Sequence, residues 1–264
     1  MELKERAVLL TGASGGIGRA TALRLAKQGA KIALFARGED KLRALAGEVE
    51  RAGGKALVVP GDVRKSADAS RAVAMATERF GGLDALVNGA GVAYLKDIAE
   101  TTDDEILEQI EVNLVGVCRI TRAALPALRA RPGSAIVNIA SFAGRVGAPY
   151  YSYYNATKFG LVGLTEAWRR ELGPLGLRVT LILPSAVETP FLERAGRRRA
   201  LGVGPAGTVI QPERVAKAVE QALRRHPAEI YLPARNYLLA VMNVALPGLS
   251  DRIVNALFRY PGGR

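Results

Sequence analysis

One cysteine, one histidine and one tryptophan stand in 264 residues. The lone Cys118 can close no internal disulfide, so the core must hold the fold, and its helical surroundings mark it as a buried, inert thiol. No cluster of His, Cys and carboxylates has ligand spacing, so no catalytic metal is expected. The only imidazole, His226, precedes Pro227 between a helical stretch and the last strand-like run; with no partner for acid–base work it reads as a helix-end residue. Also missing is an apolar run long enough to cross a bilayer. The nearest candidate, residues 236–258, is broken by Pro247-Gly248 and carries Asp251 and Arg252. Charges within the first six residues fit no secretory signal, and cytoplasm is the default expectation.

Negative charge is scarce: 25 acidic residues face 37 basic ones, a net charge of +12, and arginine (28) outnumbers lysine (9). No basic stripe with interleaved aromatics and no nucleic-acid motif accompanies that excess, so no nucleic-acid partner is expected. The densest group, Arg194, Arg197, Arg198 and Arg199, follows Thr189. It reads as a solvated loop, the alternative being attraction of an anionic substrate.

What is present is a repeating pattern. Apolar residues make up 49% of the chain, and strand-length runs alternate with helical stretches: Val8–Thr11, Lys31–Ala36, Ala56–Val59, Leu83–Val87, Ala135–Ala140, Leu177–Leu183 and Glu229–Leu232. Seven such runs predict an α/β fold, a doubly wound parallel seven-stranded sheet of Rossmann type. No linker or repeat divides residues 1–264, so one domain is expected, with an apolar helical extension over 236–258. That extension closes the substrate pocket, builds an oligomer contact or lies on a membrane surface; burial against protein is the expectation. Thr102 and Glu105 form a capping box opening a long helix that carries Asn113 and reaches about Ala130.

Two motifs carry chemistry. The first strand leads into Thr11-Gly12-Ala13-Ser14-Gly15-Gly16-Ile17-Gly18, and a helical pattern follows at once. Strand, glycine turn and helix together let backbone N–H groups approach a pyrophosphate. The second motif is Tyr154-Asn155-Ala156-Thr157-Lys158. Among Tyr150, Tyr151, Tyr153, Tyr154 and Tyr231, only Tyr154 has a lysine four residues on, one helical turn away. A phenol ionises near pH ~10, and an adjacent ammonium favours the phenolate, so the pair reads as a general acid/base with its tuning charge.

The spacing Gly12-x3-Gly16-x-Gly18 together with Tyr154-x-x-x-Lys158 resembles the short-chain dehydrogenases/reductases. The likeness spans roughly residues 5–190 and includes Asp62-Val63, Asn88-Gly89-Ala90-Gly91, Asn113, and Ser141 thirteen residues before Tyr154. Two positions depart from the family pattern: Gly89 replaces an asparagine, and Pro184-Ser185 replaces Pro-Gly. The resemblance implies Asn113, Ser141, Tyr154 and Lys158 as the catalytic set. It implies cofactor contacts at Gly12, Ser14, Gly15, Ile17, Gly18, Asp62, Val63, Asn88, Ala90, Tyr154, Lys158, Pro184, Val187 and Thr189. Ser141 would hold the substrate oxygen, Lys158 would lower the Tyr154 pKa and bond the nicotinamide ribose, and Asn113 would anchor a water. A lid over residues 190–210 is implied too, as is a homodimer or homotetramer built through the helices of Asn113 and Trp168.

The expected reaction is hydride transfer between a nicotinamide and a small-molecule ketone, aldehyde or alcohol. The end of the second strand, Ala36-Arg37, has no carboxylate where NAD-preferring chains place one. Arg37 offers a guanidinium for a 2′-phosphate, so NADP(H) is the expected cofactor, with Lys41 as a possible helper. The alternatives are a non-catalytic dinucleotide-binding regulator and an epimerase or dehydratase of the same superfamily.

Overall fold

The computed structural model describes residues 1–195 and 209–258. Seven parallel strands run as β1 (Ala7–Thr11), β2 (Lys31–Ala36), β3 (Lys55–Pro60), β4 (Ala85–Asn88), β5 (Ala135–Ile139), β6 (Arg178–Pro184) and β7 (Glu229–Leu232), in the order β3-β2-β1-β4-β5-β6-β7. All seven lie within two residues of the runs expected from sequence. The alternation of side chains explains why these runs are apolar throughout. Val8 and Leu10, Ile32 and Leu34, and Ala85 and Val87 face one core, whereas Leu9, Phe35 and Leu86 face the other. A sheet covered on both sides has no polar face to write into its sequence.

Helices α1 (Gly16–Ala26), α2 (Glu39–Arg51) and α8 (Pro212–Arg225) cover the first core. The second lies beneath α3 (Ser66–Phe80), α5 (Gly116–Arg129) and the end of α6 (Ser152–Leu172). Strand order reverses between β1 and β4, so the loops leaving those two strands part and open a crevice at their carboxyl ends.

The long helix expected from Thr102 to about Ala130 is instead three segments. The capping box is present and opens α4 (Asp103–Ile110), but one π-helical turn, Glu111–Val115, separates it from α5. The widened turn carries Asn113, and such turns occur often at functional sites. His226 follows α8 with φ 53°, a left-handed helix-end residue as expected. Cys118 is half-buried and burial raises its pKa. The C-terminal segment forms a hairpin of α9 (Asn236–Ala245) and α10 (Pro247–Leu257). Helix α7 (Pro190–Arg194) begins the stretch expected to form a lid, of which residues 196–208, with Arg197, Arg198 and Arg199, lie outside the described residues.

Candidate active site

The glycine turn between β1 and α1 forms one wall of the crevice. Gly12 has φ +69°, and a Cβ there would lie 2.6 Å from the Gly89 carbonyl oxygen. Gly18 admits no side chain either: its Cβ would lie 2.2 Å from the Gly12 oxygen. The turn is therefore folded tightly against its own helix and against the β4 loop, leaving the N-terminus of α1 open to an anion. Thr11, to which the sequence reading gave no role, ties the two loops together. Its hydroxyl accepts from the N–H groups of Gly89 and Ala90 at 3.1 and 3.2 Å.

The cleft enclosed by these loops has a volume of about 630 Å³. Gly12, Ser14, Gly15, Ile17 and Gly18 line its phosphate end, and Arg37, Asp62, Val63 and Ala90 its adenosine end. Pro184, Val187 and Thr189 bound the other side, and Ser141, Tyr154 and Lys158 stand at the inner end. A channel with bare glycine backbone at one end and a phenol and an ammonium at the other fits an extended dinucleotide.

Two expected residues do not line it. Asn88 is 2% exposed and its amide points into the core, donating to Asn138 Oδ1 (2.8 Å) and Thr121 Oγ1 (3.2 Å). As the last residue of β4 it faces the helix layer, whereas the loop residues after it reach the cleft; its side chain braces β4 against β5 and α5. Asn113 is also fully buried. Its Oδ1 accepts from Val92 N (2.8 Å), and its Nδ2 donates to Val92 O (2.8 Å) and Thr157 Oγ1 (3.1 Å). In this structure it clamps the β4 loop to α6, one residue before Lys158.

The electrostatics at the inner end also differ from expectation. Tyr154 and Lys158 are both buried, and the ammonium nitrogen lies 5.5 Å from the phenol ring centroid. Burial raises the Tyr154 pKa well above its ordinary value, against a smaller opposing effect of the Ser141 side chain. Burial likewise lowers Lys158 to about 8, and its Nζ donates to the Ile139 carbonyl at 3.3 Å. In the free protein burial is the leading influence on each side chain and disfavours both charged forms. Asn155, also unassigned from sequence, shapes the floor. Its side chain accepts from Ala148 N (3.2 Å) and donates to Val146 O (3.0 Å), fixing the loop beyond Ser141.

At the adenosine end, Asp62 accepts from Arg64 at the backbone N–H (2.9 Å), Nε (2.9 Å) and Nη2 (2.7 Å). Burial works to raise its pKa, but these bonds prevail and hold it low. Arg37 is 62% exposed, with Nη1 3.9 Å from Glu108 Oε1; Arg64 Nη1 lies 3.6 Å from the same oxygen. Tyr94 donates to Glu108 Oε2, and that bond, with burial, pushes its phenol up to about 12. Glu108 sits in α4, far in sequence from either arginine, and no local pattern announces it.

Fold and cleft define a dinucleotide-binding oxidoreductase scaffold. A family profile described as short chain dehydrogenase matches residues 6–200, and the chain belongs to that family. It is similar to the ketoacyl reductase HetN of Nostoc sp., 33% identical over 98% of this chain and 90% of the relative. It is also similar to the 3-oxoacyl-[acyl-carrier-protein] reductase FabG of Thermotoga maritima, 32% identical over 83% and 90% of the two chains. Among solved structures, an actinorhodin polyketide ketoreductase variant with NADPH superposes with a TM-score of 0.78. It is 32% identical and covers 87% of this chain and 97% of its own. A 3-ketoacyl-(acyl-carrier-protein) reductase of Brucella melitensis complexed with NADH gives 0.77, again at 32% identity and with the same two coverages.

Proposed function

We propose that the protein is an NADP(H)-dependent ketone reductase in which Tyr154 donates the proton. The observation that carries this reading is the placement of Tyr154, buried, in the lining of the cleft together with Ser141 and Lys158. A phenol is protonated at neutral pH, the form needed to donate to a carbonyl oxygen. Ser141 holds that oxygen within reach of Tyr154 by a second hydrogen bond. Lys158, charged below about pH 8, stabilises the phenolate left after transfer. The dinucleotide, when bound, supplies the hydride. Asn113 acts at one remove, holding the loop and helix that frame Lys158.

Arg37 and the lack of an acid at Ala36 support NADP(H): the guanidinium is exposed at the adenosine end and can take a 2′-phosphate bidentately. The pocket around Tyr154 supports an apolar substrate. The ring of Phe191 lies 6.2 Å and that of Tyr151 6.3 Å from Tyr154, and Phe142 and Phe258 also line the cleft. Together with the ketoacyl reductases among the relatives, this favours 3-oxoacyl thioesters or comparably bulky ketones. Leu107 and Ile110 of α4 and Phe159 of α6 are exposed apolar residues on helices that pack together, a face suited to a second copy of the chain.

The test is NADPH oxidation against a panel of ketones that includes 3-oxoacyl thioesters. Turnover is expected with NADPH, and Tyr154→Phe should lower kcat by roughly 10²-fold or more with cofactor affinity nearly unchanged. Wild-type turnover in Tyr154→Phe would remove the phenol from the mechanism.

A further inference from the structure

The α9–α10 hairpin has two unlike faces. Its inner face is part of the pocket: Asn236, Val254 and Phe258 line the cleft, and Ala240 packs with Phe142 and Val146. Two of its polar side chains, Asn243 and Ser250, turn inward as well. Asn243 donates to the Arg145 carbonyl at 3.1 Å, and Ser250 donates to Asn243 Oδ1 at 2.7 Å. The outer face is left apolar. Leu238 is 69% and Val244 81% exposed, and Val241, Leu246 and Leu249 are exposed with them. From Val244 to Leu249, across the turn between the helices, six consecutive residues are exposed and none has a polar side chain. Burial against protein, expected from sequence, is met within this chain for one face only.

Charge decides what fits the other. No charged residue lies between Arg235 and Asp251. Over residues 233–264 the sequence has four arginines against one aspartate, within a chain of net charge +12. Arg235 and Arg252, which flank the apolar stretch, are both exposed. An uncharged apolar apex on a segment with an excess of arginine is the composition that seats in the boundary between headgroups and acyl chains of an anionic bilayer. No helix among the described residues is long and apolar enough to cross a membrane, so contact would be interfacial. The exposed Leu107, Ile110 and Phe159, proposed above for a second copy of the chain, lie on other helices.

We infer that the α9–α10 hairpin docks the protein on anionic phospholipid, with the Val244–Leu249 apex inserted. Because the same two helices wall the pocket, docking brings the cleft to the membrane surface, where apolar ketones partition.

Sedimentation of the full chain with vesicles tests this, comparing phosphatidylcholine alone with phosphatidylcholine–phosphatidylglycerol mixtures. The wild type should pellet with the mixed vesicles. Binding should fall ~10-fold or more without the anionic lipid, in high salt, or in the double variant Val244→Asp/Leu246→Asp. Both substituted positions are exposed and outside the cleft, so the variant should keep reductase turnover and unfolding midpoint. Failure of the wild type to pellet with mixed vesicles overturns the inference, as does equal pelleting of the double variant. A double variant whose mass by light scattering drops from that of the wild type would overturn it too, assigning the patch to contact between copies.

Discussion

Lys158→Met separates what the buried ammonium does for catalysis from what it does for folding. Burial lowers the lysine from its usual 10.5 to about 8. Each tenfold change in proton affinity corresponds to ~1.4 kcal/mol, so keeping the charge inside at neutral pH costs the fold ~3 kcal/mol. Methionine matches the length of the side chain and carries no charge, but it leaves the Ile139 carbonyl without its donor, a loss of ~1 kcal/mol. The variant should therefore be more stable than the wild type by ~2 kcal/mol at pH 7. The sign with pH follows from proton counting. Between about pH 8 and 10.5 the unfolded chain keeps a proton that the folded chain has lost, so wild-type stability gains as pH rises through that window. Methionine has no such gain, so the gap between the two proteins is widest below pH 8 and closes towards pH 10.5. Urea unfolding without added cofactor, followed by circular dichroism at pH 7 and pH 9.5, measures both. A variant less stable than the wild type at pH 7, or a gap that ignores pH, refutes the reasoning. Reductase activity should be lost even as stability rises.

Three further outcomes follow from the same geometry. Arg37→Ala should weaken NADPH by ~1.5–3 kcal/mol, the scale of a hydrogen bond to a charged group, and hardly change NADH; equal wild-type affinities for the two cofactors by calorimetry would remove the assignment. Gly18→Ala places a methyl group 2.2 Å from the Gly12 carbonyl oxygen, which only a shift of the turn relieves, so NADPH affinity by fluorescence titration should drop ~10-fold or more. Light scattering should give a dimer or tetramer, and a mass near 28.0 kDa at micromolar concentration would contradict the role given to Leu107, Ile110 and Phe159.

Much of this architecture is legible in the chain because its strands are buried on both faces. Apolar runs of four to seven residues separated by helical periods leave one economical arrangement, and the glycine turn locates the switch point within it. The cleft residues were equally readable where backbone chemistry fixes them: Gly12 and Gly18 have to be glycine. The π-helical turn was not legible, since Glu111–Val115 has the composition of an ordinary helix and the loop its Asn113 bonds, at Val92, is 21 residues away in sequence. The Asn88 side chain points away from the cleft for a related reason. The motif marks the turn correctly, but the alternation of side chains along β4 sends the asparagine to the core and leaves Gly89 and Ala90 to face the cleft. Glu108 escaped because its partners, Arg37, Arg64 and Tyr94, are assembled only by the fold.

The tyrosine and lysine show how far a motif speaks for its physics. Four-residue spacing on α6 does bring the two side chains together, yet proximity alone does not settle which protonation states they hold. Among the described residues no carboxylate is hydrogen-bonded to either, and the low-polarity interior favours the neutral phenol and erodes the ammonium. The aromatic rings of Tyr151, Phe191 and Phe258 around Tyr154 are part of that low-polarity interior, so the apolar character of the cleft and the upward shift of its phenol share one physical cause, the exclusion of water.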